Sequence, residues 1–84
     1  MNMEYWEGPS ESMIGEGTIW TEFSEDGTAV RQVEKYGSSW FSSREEYYEN
    51  KGPGLYDGNI KDLDLSESKQ ISREEFEAVW LASA

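Results

Sequence analysis

The clearest hydrophobic pattern lies near the C-terminal end of the chain, in residues 71–81. Phe76 and Trp80 are four residues apart, a spacing that places both side chains on one face of a helix. Ser72 precedes them as a helix N-cap, and Glu75 lies three residues later to complete a capping box. This pattern predicts a short amphipathic helix that needs an apolar surface to cover.

A second pattern, typical of β-structure, extends from residue 18 to residue 36. Residues 18–23 and 28–36 are rich in β-branched and aromatic side chains, and the turn-forming residues 24–27 separate them. The sequence therefore predicts a β-hairpin. Val30 and Val33 are three residues apart, which breaks strict alternation and indicates a bulge or a twist in the second strand.

The rest of the chain carries weaker signals. Residues 3–6 are compatible with a first strand, and the glycine- and serine-rich residues 7–17 are predicted to form a loop. Residues 39–42 predict a further strand of the meander. Residues 43–50 fit either a strand extension or one helical turn, and residues 51–70 are predicted to be mostly loop.

These elements predict one domain, residues 1–84, of the α+β class. An antiparallel sheet of three to four strands has one apolar face that must be buried, and the C-terminal helix has an apolar face that must pack against another surface. The helix is therefore expected to cover one face of the sheet. The predicted core residues are Ile19, Phe23, Val30, Val33, Tyr36, Phe41, Phe76, Val79 and Trp80.

The net charge of the chain bears on its function rather than on its fold. The chain has 18 acidic and 7 basic residues, a net charge of −11, and residues 1–30 contain seven acids and no base. Such a field repels nucleic acid and anionic membranes and attracts a basic protein partner. No apolar run is long enough to span a bilayer, and no signal-peptide pattern opens the sequence, so a cytoplasmic protein is expected.

Candidate catalytic and metal chemistry is weak. The chain has no histidine and no cysteine, so its serines lack the usual activating base, and no enzyme activity, metal or cofactor is predicted. Asp64 and Glu75 match the first and last positions of a twelve-residue calcium loop. Lys69 stands where that loop needs glycine, and the capping box already explains Glu75, so the helix-cap interpretation is favoured.

Aromatic residues supply the strongest candidate site. Four tryptophans and five tyrosines exceed what a small core needs, and several lie among acids in predicted loops. Tyrosine and tryptophan anchor protein interfaces, although the same rings can cover a thin core from outside. The predicted partner-binding residues are Trp40, Glu45, Glu46, Tyr47, Tyr48, Glu49, Tyr56 and Asp57.

Two segments carry a resemblance: Val-Arg-Gln-Val-Glu-Lys-Tyr at residues 30–36 and Ile-Ser-Arg-Glu-Glu-Phe-Glu-Ala-Val-Trp at residues 71–80. The chain, from about residue 18 onward, resembles a family of small, uncharacterised, acidic bacterial domains with a V-R-x-V-E-x-F strand and a C-terminal I-S-x-E-E-F-E-x-V-W helix. Tyr36 replaces the phenylalanine of that strand. Some of these domains occur in toxin and immunity contexts, which implies partner binding and defines no catalytic residues.

Acidity, surplus aromatic residues and this resemblance lead to one functional hypothesis. The chain is expected to be an immunity protein, monomeric when free, that neutralises a bacterial toxin domain by occluding its basic active site. Two alternatives stay open: a phage-encoded inhibitor that mimics nucleic acid, and a solitary regulatory domain without an inhibitory role.

Overall fold

The computed structural model describes residues 2–84. In chain order, the long strands are β1 (Glu4–Ser12), β2 (Gly15–Phe23), β3 (Ala29–Tyr36) and β4 (Ser39–Ser42). The remaining elements are two short strands, β5 (Tyr47–Tyr48) and β6 (Gly52–Pro53), a 3-10 turn (Ile60–Asp62), a three-residue strand β7 (Lys69–Ile71) and helix α1 (Arg73–Ala82).

One antiparallel sheet dominates the fold, with strand order β4-β3-β2-β1-β7. The α+β class and the C-terminal helix on the sheet are confirmed, and so is the hairpin of β2 and β3. The sheet has five strands rather than three or four, because β7 pairs with residues 5–7 of β1. Residues 43–50 neither extend β4 nor form a helical turn; β5 pairs with β6 in a separate two-stranded sheet.

The prediction of a loop at residues 7–17 is wrong. Residues 7–12 continue β1, and residues 15–17 begin β2, so the two strands pair along their whole length. Two of the three glycines that suggested a loop are required by close packing. A Cβ at Gly8 would overlap the side chain of Ser68, and a Cβ at Gly17 would overlap the backbone carbonyl oxygen of Lys35 and the ring of Tyr36.

The irregularity predicted near Val30 is a β-bulge. Glu22 pairs with Arg31, whereas the next residue, Phe23, pairs with Ala29, so Val30 has no partner across the ladder. Its side chain is 44% exposed. The prediction of Val30 as a core residue is wrong, because the bulge turns this extra residue out of the alternation that buries Val33.

Helix α1 packs over the face of the sheet that carries Trp20. Tyr5, Ile71 and Phe76 form a buried cluster, and the half-buried Trp20 and Trp80 pack against it. The predicted cap is present, since the backbone N–H of Glu75 donates to the Ser72 hydroxyl at 3.1 Å. The carboxylate of Glu75 contacts that hydroxyl at 3.4 Å rather than the cap's own N–H.

The opposite face of the sheet is covered by the irregular segment of residues 43–68. Phe23, Tyr36 and Phe41 are buried on this side, where the Tyr48 ring meets Phe41 edge-on at 4.8 Å between centroids. The sheet is therefore covered on both faces. Since side chains alternate along β2, Phe23 lies on the face opposite to the helix.

Candidate functional site

The sheet separates the predicted partner-binding residues into two groups. Trp40 and Phe41 are adjacent on β4, so their side chains point to opposite faces. Trp40 shares the helix-bearing face with Trp20, at 5.9 Å between ring centroids, and the Lys35 ammonium lies 4.8 Å from the Trp40 ring. The other seven predicted residues lie between residues 45 and 57, within the segment that covers Phe41. Trp40 therefore does not form one surface with them.

Two of those seven hold the covering segment in place. The Tyr48 hydroxyl accepts from the backbone N–H of Ser42 at 3.0 Å and donates to the carbonyl oxygen of the same residue at 2.9 Å. The backbone N–H of Tyr56 donates to the Gln32 side chain at 2.8 Å, and its hydroxyl donates to the carbonyl oxygen of Asn59 at 3.2 Å. Their rings thus contribute to packing, as the core-covering alternative expects.

The remaining members of that group are open to solvent. Tyr47 is 66% exposed, and Glu45, Glu46, Glu49 and Asp57 are exposed as well. They form an acidic surface with one exposed aromatic ring. This surface keeps the predicted combination of an anchor residue and negative charge.

A second acidic feature, absent from the sequence prediction, is the end of the β1–β2 hairpin. We call residues 10–17 the β1–β2 finger. The β1–β7 pairing ends at Glu7, and the β2–β3 pairing begins at Thr18. Within residues 2–84, the finger therefore pairs only with itself and extends beyond its neighbouring strands.

The tip of the finger is apolar and framed by like charges. Met13 is 79% exposed and Ile14 is 40% exposed. Behind them, the exposed residues Glu11 and Glu16 lie directly opposite each other in the antiparallel register. Like charges in that position destabilise a strand pair, and exposed apolar side chains add nothing to the fold of the free protein. Neither feature is explained by stability.

The turn of the finger is nevertheless ordered. Gly15 has φ +121°, a conformation that side chains oppose, so glycine lets the chain reverse immediately after Met13 and Ile14. The backbone N–H of Ile14 donates to the Ser12 hydroxyl at 3.1 Å. These local features hold both apolar side chains at the end of the hairpin.

The base of the finger is tied to a buried polar network. The hydroxyls of Ser10 and Tyr36 are 2.7 Å apart, and Tyr36 donates to the Glu34 carboxylate at 2.6 Å. Lys51 pairs with the same carboxylate at 2.5 Å, with both side chains less than a tenth exposed. Burial and the bond to Glu34 raise the pKa of Tyr36, which keeps its hydroxyl protonated as a donor. The finger is thus fixed in direction by the body of the domain.

One signal in the sequence favours a hairpin at these residues over the predicted loop. Met13 and Ile14 form an isolated apolar pair in a polar stretch, with glutamates at positions 11 and 16 placed symmetrically about it. Such symmetry is typical of a hairpin. Glycine and proline outweighed it in the prediction because they usually mark loops.

Residues 64–75, which match the calcium-loop pattern, have a different local structure. The Asp64 carboxylate accepts from the backbone N–H of Ser66 at 3.0 Å, which lowers the pKa of Asp64. β7 occupies the middle of the proposed loop as a strand, and Ser72 with Glu75 caps the helix. Among residues 2–84, no three acidic side chains are grouped so that they could hold a metal ion.

No protein-family model, curated protein or solved structure matches this chain. The resemblance through residues 30–36 and 71–80 therefore stays a prediction. In the described part of the chain, no helix combines the length and the apolarity that crossing a membrane would require.

Proposed function

We propose that this chain is an immunity-type inhibitor, a small acidic protein that binds a basic toxin domain and occludes its active site. It acts by binding rather than by catalysis, in the cytoplasm, and is a monomer until it meets its partner. The observation that carries the proposal is the β1–β2 finger, whose exposed apolar tip is flanked by opposed glutamates. The expected partner site is a cleft with an apolar floor and a rim of lysine or arginine.

The shape of the finger supports occlusion rather than flat contact. Residues 11–16 of the finger extend past β3 and β7, so the tip can enter a recess that the rest of the sheet cannot reach. Methionine adapts to irregular apolar pockets, which suits the exposed Met13 to an anchoring role. The neighbouring Ile14 adds apolar area at the same point.

Charge supports the choice of partner. Glu11 and Glu16 repel each other in the free protein, and a cationic rim relieves that repulsion on binding. The seven acids and no bases of residues 1–30 extend the negative field around the finger. Such a field accelerates encounter with a positive cleft and does so less at high salt. The acidic surface around Tyr47 provides a further negative region on the same molecule.

The direct test uses the product of the gene immediately upstream, since an immunity gene follows its toxin gene. Co-expression is expected to restore growth to cells that carry the toxin, and the two proteins are expected to co-purify. Met13→Ser is expected to raise the dissociation rate at least about 30-fold, the effect of losing an interface anchor. Leu81→Ser is the matched control, because Leu81 is a similarly exposed apolar residue on α1.

A second pair of variants separates binding from stability. Glu11→Gln removes the like-charge pair, so it is expected to stabilise the free protein by a few tenths of a kcal/mol, about the size of one cross-strand pair. The same change is expected to slow association. Glu67→Gln alters net charge equally at an exposed position outside the finger and is expected to leave stability unchanged.

Three results would contradict the proposal. The upstream product could fail to bind or to inhibit growth. Met13→Ser could dissociate no faster than Leu81→Ser. Glu11→Gln could stabilise the protein without affecting association. Trp40→Ala and Tyr47→Ala, measured in the same assay, test the anchors predicted from the sequence.

A further inference from the structure

A cavity of about 370 Å³ lies between the helix-free face of the sheet and the segment that covers it. This volume falls within the range of small-molecule sites, which begins at roughly 300 Å³. The cavity contains no residue of the β1–β2 finger, so ligand binding there is independent of the proposed function. A domain of 84 residues gains no stability from keeping such a space open beside its core.

Of the buried polar residues that line the cavity, Thr21, Gln32 and Glu34, one has a side chain without a hydrogen bond. Gln32 donates to Glu34 at 2.8 Å and accepts from the backbone N–H of Tyr56 at 2.8 Å, and Glu34 also accepts from Tyr36 and Lys51. No hydrogen bond within the described residues engages the hydroxyl of Thr21, which lines the cavity and is 6% exposed.

The Thr21 hydroxyl therefore faces the cavity. No side-chain nitrogen or oxygen in residues 2–84 is both sealed from solvent and unpaired. An unpaired hydroxyl on this central strand must accordingly reach the space that the cavity provides. Because it has no partner in the described residues, this hydroxyl is free to pair with a polar atom of a molecule in the cavity.

The walls of the cavity are largely apolar and include the aromatic residues Trp6, Phe23 and Tyr56. Ile19 and Phe23 come from the sheet, Leu55 and Leu65 come from the covering segment, and Trp6 adds an indole ring. Ligand sites commonly combine such walls with one or two polar groups that fix orientation. The body of the ligand is therefore expected to be aromatic.

The charge at the mouth selects the other end of the ligand. Asp57 and Asp64 line the cavity and are exposed, whereas the one cation in the lining, Lys51, is paired with Glu34. The lining therefore carries a net negative charge, since its three carboxylates exceed its one ammonium group. A cationic end is favoured at this mouth and an anionic end is opposed.

We propose that this cavity binds a small aromatic amine that carries a hydroxyl group at the end of the ring remote from its ammonium group. The hydroxyl pairs with Thr21, the ring fills the apolar walls, and the ammonium group lies between Asp57 and Asp64. Tyramine is the probe for this chemistry. Phenethylamine lacks only the hydroxyl, and 3-(4-hydroxyphenyl)propionate replaces the ammonium group with a carboxylate.

The test titrates each probe into the parent protein and follows backbone amide signals by NMR. Tyramine is expected to shift the signals of Thr21 and Leu55 and to leave those of Met13 and Ile14 unchanged. Tyramine is expected to bind about 2- to 10-fold more tightly than phenethylamine, the range of one net hydrogen bond. It is expected to bind at least about 10-fold more tightly than the carboxylate, given the negative mouth.

Substitution of Thr21 assigns the preference to its hydroxyl. In Thr21→Val, tyramine and phenethylamine are expected to bind equally, whereas Thr21→Ser keeps the hydroxyl and the preference. Thr18→Val makes the same change on the same strand but on the opposite face, and it is expected to behave as the parent does.

The parent protein alone can overturn the proposal, so the test does not depend on the folding of a variant. The proposal is wrong if tyramine causes no shifts at cavity residues up to about 10 mM, tenfold above a millimolar dissociation constant. It is equally wrong if the carboxylate binds as tightly as tyramine, or if the tyramine preference survives in a folded Thr21→Val protein.

Discussion

Arg31 joins the sheet to the helix, and its removal gives the sharpest test of how the two layers are held together. Its guanidinium group donates to Glu22 at 2.6 and 3.1 Å and to Glu77 of α1 at 2.7 and 3.2 Å. The same group lies 5.0 Å from the Phe76 ring centre and 5.1 Å from that of Trp80. We predict that Arg31→Met destabilises the domain far more than an ordinary surface ion pair would.

The size of this destabilisation depends on how far the carboxylates of Glu22 and Glu77 are buried. The Glu22 side chain is 7% exposed, so removing Arg31 leaves a buried carboxylate without its counterion, which costs about 3–5 kcal/mol. The Glu77 side chain is 36% exposed, and that arm contributes about 0–1 kcal/mol. A domain of this length has a total stability of roughly 4–13 kcal/mol. Arg31→Met is therefore expected to bring the protein close to unfolding.

The pH dependence identifies Glu22 as the cause. Hydrogen bonds from Arg31 hold the pKa of Glu22 below its ordinary value of 4.5, while burial acts in the opposite direction. Because the folded pKa is lowered, this stabilisation is fully present above pH 4.5 and is lost as the pH falls through the folded pKa. Without Arg31, burial is expected to raise the pKa of Glu22, and protonation then removes the uncompensated charge. The difference in unfolding free energy between parent and Arg31→Met is therefore expected to be largest at neutral pH and to shrink as the pH falls and Glu22 of the variant becomes protonated.

Urea denaturation at pH 7 and at pH 4 measures these differences. Glu77→Gln is the matched control and is expected to cost less than about 1 kcal/mol. Glu22→Gln, introduced into the Arg31→Met protein, is expected to restore about 2 kcal/mol, because it removes the uncompensated charge. The reasoning is refuted if Arg31→Met costs under about 1 kcal/mol at pH 7, or if the second substitution restores nothing.

Two further predictions concern local geometry. Gly17→Ala is expected to lower the melting temperature by several degrees and to shift the NMR signals of Ser10 and Tyr36, because its Cβ would overlap the backbone of Lys35 and the Tyr36 ring. An unchanged melting temperature with unchanged signals at both residues would count against this account. Ser72→Ala is expected to lower the free energy of unfolding by about 1 kcal/mol, measured by urea denaturation, because the helix cap is lost. Ser72→Asp keeps an acceptor and is expected to lower it little. Equal losses in the two variants would argue against capping.

The candidate site was only partly predictable from the sequence. The surplus of aromatic residues suggested a binding surface, but not which rings stay free: Tyr48 is committed to the β4 backbone through its hydroxyl, while Tyr47, its neighbour, is exposed. The finger escaped prediction because strand pairing, rather than local propensity, makes residues 10–17 a hairpin. Glycine there serves a contact with Lys35, which lies in a different strand.

Signals that lie within about ten residues of one another are enough to predict two of the elements. Helix α1 carries its own cap and apolar spacing, and the β2–β3 hairpin carries its own turn and alternation, so both form where predicted. The bulge at Val30 was also visible as a break in that alternation. Net charge, with its consequence for partners, likewise needs no structure.

How those elements combine depends on contacts that form only in the folded chain. β7 becomes a strand because residues 69–71 meet residues 5–7, a pairing that no local pattern encodes. The helix packs on the Trp20 face, where Phe76 joins Tyr5 and Ile71 and where Glu77 pairs with Arg31, and the irregular segment covers the Phe23 face. The cavity beside Thr21 lies between the sheet and that segment, which Lys51 and Tyr56 tie to Glu34 and Gln32 of β3. Contacts between residues distant in sequence depend on the whole packed arrangement, which is why local patterns do not encode them.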